Sequence, residues 1–256
     1  MKKDYFDLTG KVALITGASS GLGVQFAKAL ANQGADIAIC ARRIEKLEET
    51  KKVIEAMGVK CYVHACDVTV VEQINETVKD VIEHYGKIDI LVNNAGLGWT
   101  APAESTSEQL WSTMIKTNID GVFYFAREVG RHMLERGYGK IINIGSIHST
   151  VVMNGMPLSA YATTKGAVEM MTKALASEWA KKGITVNAIG PAYFASEMTG
   201  DIGNNEQFAP LIAAYCPMGR VGQEGELDGA LIYFASDASS YTTGQLLTVD
   251  GGWTTI

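Results

Sequence analysis

The 256-residue chain is poor in what would staple or anchor it: four cysteines, five prolines, four histidines and no long apolar run. The cysteines stand at 40, 61, 66 and 216; Cys61 and Cys66 are five apart and do not make up a zinc-ligand set, so no metal site is expected. Cys40, Cys61 and Cys66 fall in or beside predicted strands, where a buried free thiol is the ordinary outcome. Free thiols fit a reducing compartment. The opening, MKKDYFDLTGK, lacks an apolar stretch of signal-peptide length, and nothing in the chain is long enough to span a bilayer. The expectation is a cytoplasmic protein with no membrane partner. Basic clusters are absent too: 22 Lys and Arg are interspersed with 28 Asp and Glu, for a net charge of −6. Such a balance argues against a nucleic-acid partner.

What is present is an alternation. Short runs rich in Val and Ile (Val12–Thr16, Asp36–Cys40, Val59–Ala65, Ile88–Val92, Lys140–Ile144, Thr185–Ile189, Gln245–Val249) read as strands. Between them lie stretches with apolar residues at helical spacing: 22–33, 44–57, 71–84, two helices within 107–136, 160–180 and 225–235. Strands separated by helices of this length predict an α/β, Rossmann-like fold, a doubly wound parallel sheet of about seven strands with helices on both faces. No Pro/Gly linker, repeat or charge run interrupts residues 1–256, so one domain is expected.

Thr16-Gly-Ala-Ser-Ser-Gly-Leu-Gly23 joins the first strand to the first helix. Gly17, Gly21 and Gly23 permit a tight turn and close approach of a pyrophosphate. Ser19, Ser20 and Leu22 complete a loop that leads into a helix N-terminus with free N–H groups and a positive dipole end. The loop lacks the Gly-Lys-Ser/Thr ending of a nucleotide-hydrolysing P-loop. A ribose 2′-hydroxyl would call for an acidic residue at the end of the second strand. That place instead reads Cys40-Ala41-Arg42-Arg43. Arg42 and Arg43 suit a 2′-phosphate, and two cations opening a helix oppose its dipole, which argues for a functional reason. The expected cofactor is NADP (NADPH) in preference to NAD.

Tyr161 and Lys165 are four apart on one predicted helix, so they share a face. A phenol has an ordinary pKa of about 10, too high for proton transfer near neutrality, and a neighbouring ammonium would lower it. Ser146 closes the fifth strand, where ligands of parallel sheets gather.

These residues, together with Cys66-Asp67-Val68, Asn93-Asn94-Ala95-Gly96, Asn118, Gly190-Pro191 and Val249-Asp250-Gly251-Gly252, give the chain its resemblance to the short-chain dehydrogenase/reductases, from about Gly10 to Gly252. The resemblance implies that Tyr161 donates or accepts the proton, that Lys165 lowers its pKa and bonds the nicotinamide ribose, and that Ser146 polarises the carbonyl. Asn118 would hold a water linking Lys165 to solvent. Asp67 and Val68 would border the adenine, and the backbone of Asn94, Ala95 and Gly96 would line the cofactor groove. Pro191 would cover the nicotinamide, with the Phe194 backbone and the Ser196 hydroxyl near its carboxamide. A homotetramer or homodimer is implied as well. Asn93, Asp250 and the last glycines read as turn formers. The chain departs from the family in a longer Ser146–Tyr161 spacing, in Ala192 after Pro191, and in Ser196 where Thr is usual.

Two segments, 147–160 and 192–218, are expected to wall the substrate site, with Trp99 beyond the fourth strand. They offer apolar side chains, among them Met153, Tyr193 and Met198, contain no Lys or Arg, and have His148 as their one cationisable residue. A fixed anion would normally meet a fixed cation, so the expected substrate is a bulky apolar alcohol or ketone such as a hydroxysteroid. The opening Phe6-Asp-Leu-Thr-Gly-Lys resembles gluconate 5-dehydrogenase-like members, which makes a sugar acid the alternative. A 3-oxoacyl reductase is a third possibility. A non-enzymatic dinucleotide sensor is disfavoured, because Asn118, Ser146, Tyr161 and Lys165 all carry the groups that the chemistry needs.

Overall fold

The computed structural model describes residues 4–194 and 208–255. Seven parallel strands form one sheet in the order β3-β2-β1-β4-β5-β6-β7. They are β1 (Val12–Thr16), β2 (Asp36–Ala41), β3 (Cys61–Ala65), β4 (Ile90–Asn93), β5 (Gly139–Ile144), β6 (Ile184–Pro191) and β7 (Leu246–Val249). The helices are α1 (Gly21–Asn32), α2 (Ile44–Glu55), α3 (Val71–Tyr85), α4 (Glu108–Ile115), α5 (Gly121–Arg136), α6 (Ser159–Trp179), α7 (Ala209–Tyr215) and α8 (Asp228–Ala235).

Alternation along each strand divides the core in two. Ala13, Ile15, Ile37, Ile39, Ile90 and Val92 point to one face and pack with Phe26, Leu30, Leu47 and Phe234. Leu14, Ala38, Cys40, Leu91 and Ile141 point to the other and meet Ile74, Val78, Phe125, Val129 and Trp179. Both faces are therefore dry, which is why these strands read as continuous apolar runs. All four cysteines are buried and free. The order reverses between β1 and β4, so their C-terminal ends open a crevice where ligands of such sheets bind.

Differences from the sequence expectation are local. Helix α8 starts at Asp228 and not at 225; Gly225, with φ +92°, lies outside the right-handed helical region and belongs to the turn before it. The two helices within 107–136 are joined by a five-residue π-helical turn, Lys116–Asp120. Helix α7 was not anticipated, although Pro210 at its second position is a helix-start signal. Asn93 is no turn former: it ends β4 with 2% exposure and its Nδ2 donates to Asn143 Oδ1 at 2.9 Å, tying β4 to β5. Asp250 does shape its turn, accepting from the Gly252 and Thr254 N–H groups at 2.9 and 3.0 Å. No helix among the described residues is long and apolar enough to cross a membrane.

Beneath the sheet, Asp89 is 1% exposed and accepts from Arg136 at 2.8 Å, Lys87 at 3.1 Å and the Val12 N–H at 3.0 Å. Burial pushes its carboxyl pKa up, but the three donors outweigh this and hold it below the usual value. Asp89→Ala strands those donors and is expected to cost about 3 kcal/mol. In thermal unfolding that is a fall in Tm of roughly 6–12 °C; an unchanged Tm would show that the network contributes nothing.

Candidate active site

The loop after β1 is braced from β4. The Thr16 hydroxyl accepts from the Asn94 and Ala95 N–H groups at 3.1 and 3.0 Å. Asn94 Nδ2 in turn donates to the carbonyls of Thr16 at 2.9 Å and Gly17 at 3.2 Å. Gly17 has φ +68°, and a Cβ there would stand 2.8 Å from Ala95 Cα; a Cβ on Gly23 would stand 2.5 Å from Gly17 O. Only glycine fits either place. Ser20 caps α1 without any side-chain bond to the helix, so its hydroxyl satisfies none of the first-turn N–H groups. With Gly21 and Leu22 opening the helix, the geometry fits the pyrophosphate of a dinucleotide.

Of the two arginines, Arg43 reaches this loop. Its Nη2 donates to Ser20 Oγ at 2.8 Å and to Ser19 Oγ at 3.2 Å, placing a guanidinium at the rim of the phosphate cradle. Arg42 is exposed beside it. Asp67 closes its own turn through the Thr69 N–H and hydroxyl at 2.9 and 2.7 Å. Val68 packs against the start of α5, where a Cβ on Gly121 would lie 2.9 Å from its carbonyl.

At the other side of the crevice, α6 carries Tyr161 and Lys165 against the end of β5. Lys165 Nζ donates to Ile144 O at 2.7 Å and is otherwise surrounded by protein. Burial alone pushes its pKa down to about 8. Gly96 borders it: a Cβ there would be 3.8 Å from Lys165 Nζ and 3.5 Å from Asn118 Oδ1. Asn118, on the π-helical turn, exchanges hydrogen bonds of 2.8 Å with both the N–H and C=O of Leu97 and donates to Thr164 Oγ1 at 3.0 Å. Such turns recur at functional sites. The side-chain amide is thus committed to the loop after β4, leaving one Oδ1 lone pair for the water that the resemblance implied.

Ser146 sits at the mouth of a 3₁₀ turn, Ile147–Ser149, its Oγ accepting from the His148 N–H at 3.1 Å. Ser149 Oγ ties that turn to Lys165 O at 2.9 Å. The Tyr161 phenol is raised above its ordinary pKa by burial, and the hydrogen-bonded Ser146 hydroxyl pulls it back in part. In the protein without cofactor, burial is the larger influence on the phenol, and Lys165 is not among the groups that shift it. The ammonium lies 5.8 Å from the phenol ring centroid and is itself disfavoured by burial. At neutral pH the phenol holds its proton, the form that donates to a developing alkoxide; alcohol oxidation needs the phenolate and gains with rising pH.

The proposed walls pack on each other. Ile147 and Met153 are buried in a third cluster with Ile212, Cys216 and Trp253, and Tyr193, Phe208 and Tyr215 join them. The apolar side chains that suggested an apolar substrate are largely spent on this cluster. Trp99 stands 58% exposed on its loop. Pro191 ends β6, paired with Val249 of β7, and Phe194 bridges to Gly222. Ser196 and Met198 lie outside the described residues. Thr16 opens the Gly-rich motif, but nothing in the sequence assigns a role to its side chain; the brace to Asn94 and Ala95 is seen only in the fold.

A family model described as enoyl-(acyl carrier protein) reductase matches residues 17–254. The chain is 41% identical to gluconate 5-dehydrogenase of Gluconobacter oxydans (strain 621H) over 251 residues, 98% of this chain and 97% of that one. It is also 41% identical to 2-dehydro-3-deoxy-D-gluconate 5-dehydrogenase of Bacillus subtilis (strain 168) over 250 residues, 98% and 97% of the two chains. Among solved structures, a gluconate 5-dehydrogenase from Burkholderia cenocepacia J2315 in complex with NADP and tartrate matches with a TM-score of 0.94 and 40% identity, covering 99% of this chain and 98% of that one.

Lys165→Met removes a buried cation as well as a reactive group. It is expected to cut kcat by about 100-fold or more while Tm stays level or rises, since an isolated buried charge costs folding free energy. A large fall in Tm would contradict this account of Lys165.

Proposed function

The chain belongs to the short-chain dehydrogenase/reductase family, and on that premise we propose that it is an NADP(H)-dependent oxidoreductase interconverting a secondary alcohol and a ketone on a gluconate-type sugar acid. The observation that carries the proposal is the meeting of Ser146, Tyr161 and Lys165 at the end of β5, across the crevice from an arginine-rimmed phosphate loop. In this assignment the bound cofactor supplies or removes the hydride. Tyr161 passes the proton to or from the substrate oxygen, and the Ser146 hydroxyl bonds that oxygen and holds it in line. Lys165, fixed on Ile144 O, binds the nicotinamide ribose with its remaining N–H groups. Asn118 fixes the loop after β4 against α6. Arg43, backed by Arg42, meets the 2′-phosphate, while Asp67 and Val68 border the adenine.

For substrate, the relatives named for gluconate and its dehydro-deoxy analogue favour the sugar-acid alternative over a hydroxysteroid. The packing of the third cluster supports the same choice, because among the described residues it takes up Ile147, Met153, Ile212 and Phe208. Segments 147–160 and 192–218 remain the proposed substrate walls. Exposed Trp111, Phe123 and Met170 on α4, α5 and α6 support assembly as a homotetramer or homodimer, and a cytoplasmic location completes the proposal.

The direct test is NADPH oxidation with 5-keto-D-gluconate. Turnover by the wild type and its loss in Tyr161→Phe, with NADPH binding retained, is the expected result; preferential turnover of hydroxysteroids would refute the substrate assignment. Arg43→Ala should raise KM for NADPH by about tenfold or more, the loss of a charge-assisted bond, and leave KM for NADH unaltered. An unchanged KM for NADPH would remove Arg43 from the 2′-phosphate site.

A further inference from the structure

The proton-transfer group Tyr161 has polar neighbours that the reaction itself does not use. His148 is 5% exposed, and its ring stands edge-on to Tyr161 and to Tyr193, with centroids 6.2 Å from each. Its Nδ1 lies 3.0 Å from Val151 O. A carbonyl only accepts, so Nδ1 carries the hydrogen and Nε2 is left as an acceptor. Burial keeps the imidazole neutral by lowering its pKa. Nε2 lies 3.2 Å from the Tyr193 hydroxyl, and an imidazole nitrogen is a stronger acceptor than the Met153 and Met156 sulfurs at 3.3 and 3.7 Å. The Tyr193 phenol therefore gives its one hydrogen to His148 and keeps oxygen lone pairs for another donor. Its ring is held between Phe208 and Trp253, at centroid distances of 5.1 and 5.2 Å, so the hydroxyl is fixed in advance.

A buried hydrogen-bonded pair stabilises a core less than an apolar pair of the same shape. This pair sits in an otherwise apolar cluster, beside the reacting phenol, on two segments with no Lys or Arg. We propose that His148 and Tyr193 form the specificity-determining element of the site, binding the hydroxyl on the carbon next to the one that reacts. The substrate class that follows is an α-hydroxy ketone and the vicinal diol formed on its reduction. The proposal rests on the polyhydroxylated substrate proposed above and names the contact that selects it.

The test compares 2-hydroxycyclohexanone with cyclohexanone as NADPH-dependent substrates, read as the ratio of their kcat/KM values. The wild type should favour the hydroxy ketone. Tyr193→Phe, which keeps the ring in its packing, should lower that ratio about tenfold, one hydrogen bond's worth, chiefly through KM. His148→Gln can place Oε1 near the Nε2 position and should recover part of the preference that His148→Leu loses. A purely structural role would lower both rates in proportion and leave the ratio at its wild-type value, which would overturn the proposal, as would a wild type with no preference. Dissociation constants of 1,2-cyclohexanediol and cyclohexanol from the enzyme–NADP complex give the same ratio should turnover be too slow to compare. Hydroxy-ketone preference without 5-keto-D-gluconate turnover would refute the gluconate assignment and leave this one standing. Gluconate-type turnover with an unaltered ratio in Tyr193→Phe would refute this one alone.

Discussion

One hydrogen bond organises the catalytic side of the molecule: Lys165 Nζ to Ile144 O, 2.7 Å long and buried. An ammonium removed from water is costly, and a single carbonyl repays part of that cost. Neighbouring bonds hold the two groups in place. Helix α6 lies against the end of β5, the Ser149 hydroxyl clips the intervening turn to the backbone of Lys165, and Thr164 links the same helix turn to Asn118. Ser146, Tyr161 and Lys165 are consequently positioned by one strand end and one helix, both of which are packed into the core.

The cofactor side is held by neutral bonds. Thr16 and Asn94 join the ends of β1 and β4 at the point where strand order reverses, and the phosphate loop rests on that junction. The crevice is thereby a property of topology, while its width is set by side-chain hydrogen bonds and by two glycines that keep the backbone close. Arg43 adds charge at the rim without entering the core. Rigid placement on this side and a buried cation on the other bring the proposed hydride and proton paths to the carbon and oxygen of one substrate carbonyl.

Much of this was legible in the sequence because sheet strands buried on both faces leave a plain signature, and because the loop glycines, Ser146, Tyr161 and Lys165, each weak alone, occur together in order on the expected elements. The parts that were not legible share a physical cause. Asn93 looks like a turn residue until β5 brings Asn143 beside it. Met153 and Tyr193 look like free ligand wall, and only the fold shows that they also pack against Ile212 of α7 and Trp253. The electrostatics of Tyr161 could not be read from spacing, since the burial that raises its pKa depends on how the loops around α6 close over it. In each case the missing information was a long-range neighbour.

The π-helical turn at Lys116–Asp120 carries a final implication. A wider turn holds one more residue than an α-helical one, so it shifts the angular phase of everything that follows by roughly 100°. Helices α4 and α5 therefore present faces that no uninterrupted helix of the same sequence would present. Asn118 makes its bonds to Leu97 and Thr164 from within that turn. Chain length between Ser107 and Gly137 is thus encoded as strictly as residue identity, and a single insertion or deletion there would disarm the site while leaving every proposed catalytic side chain in the sequence.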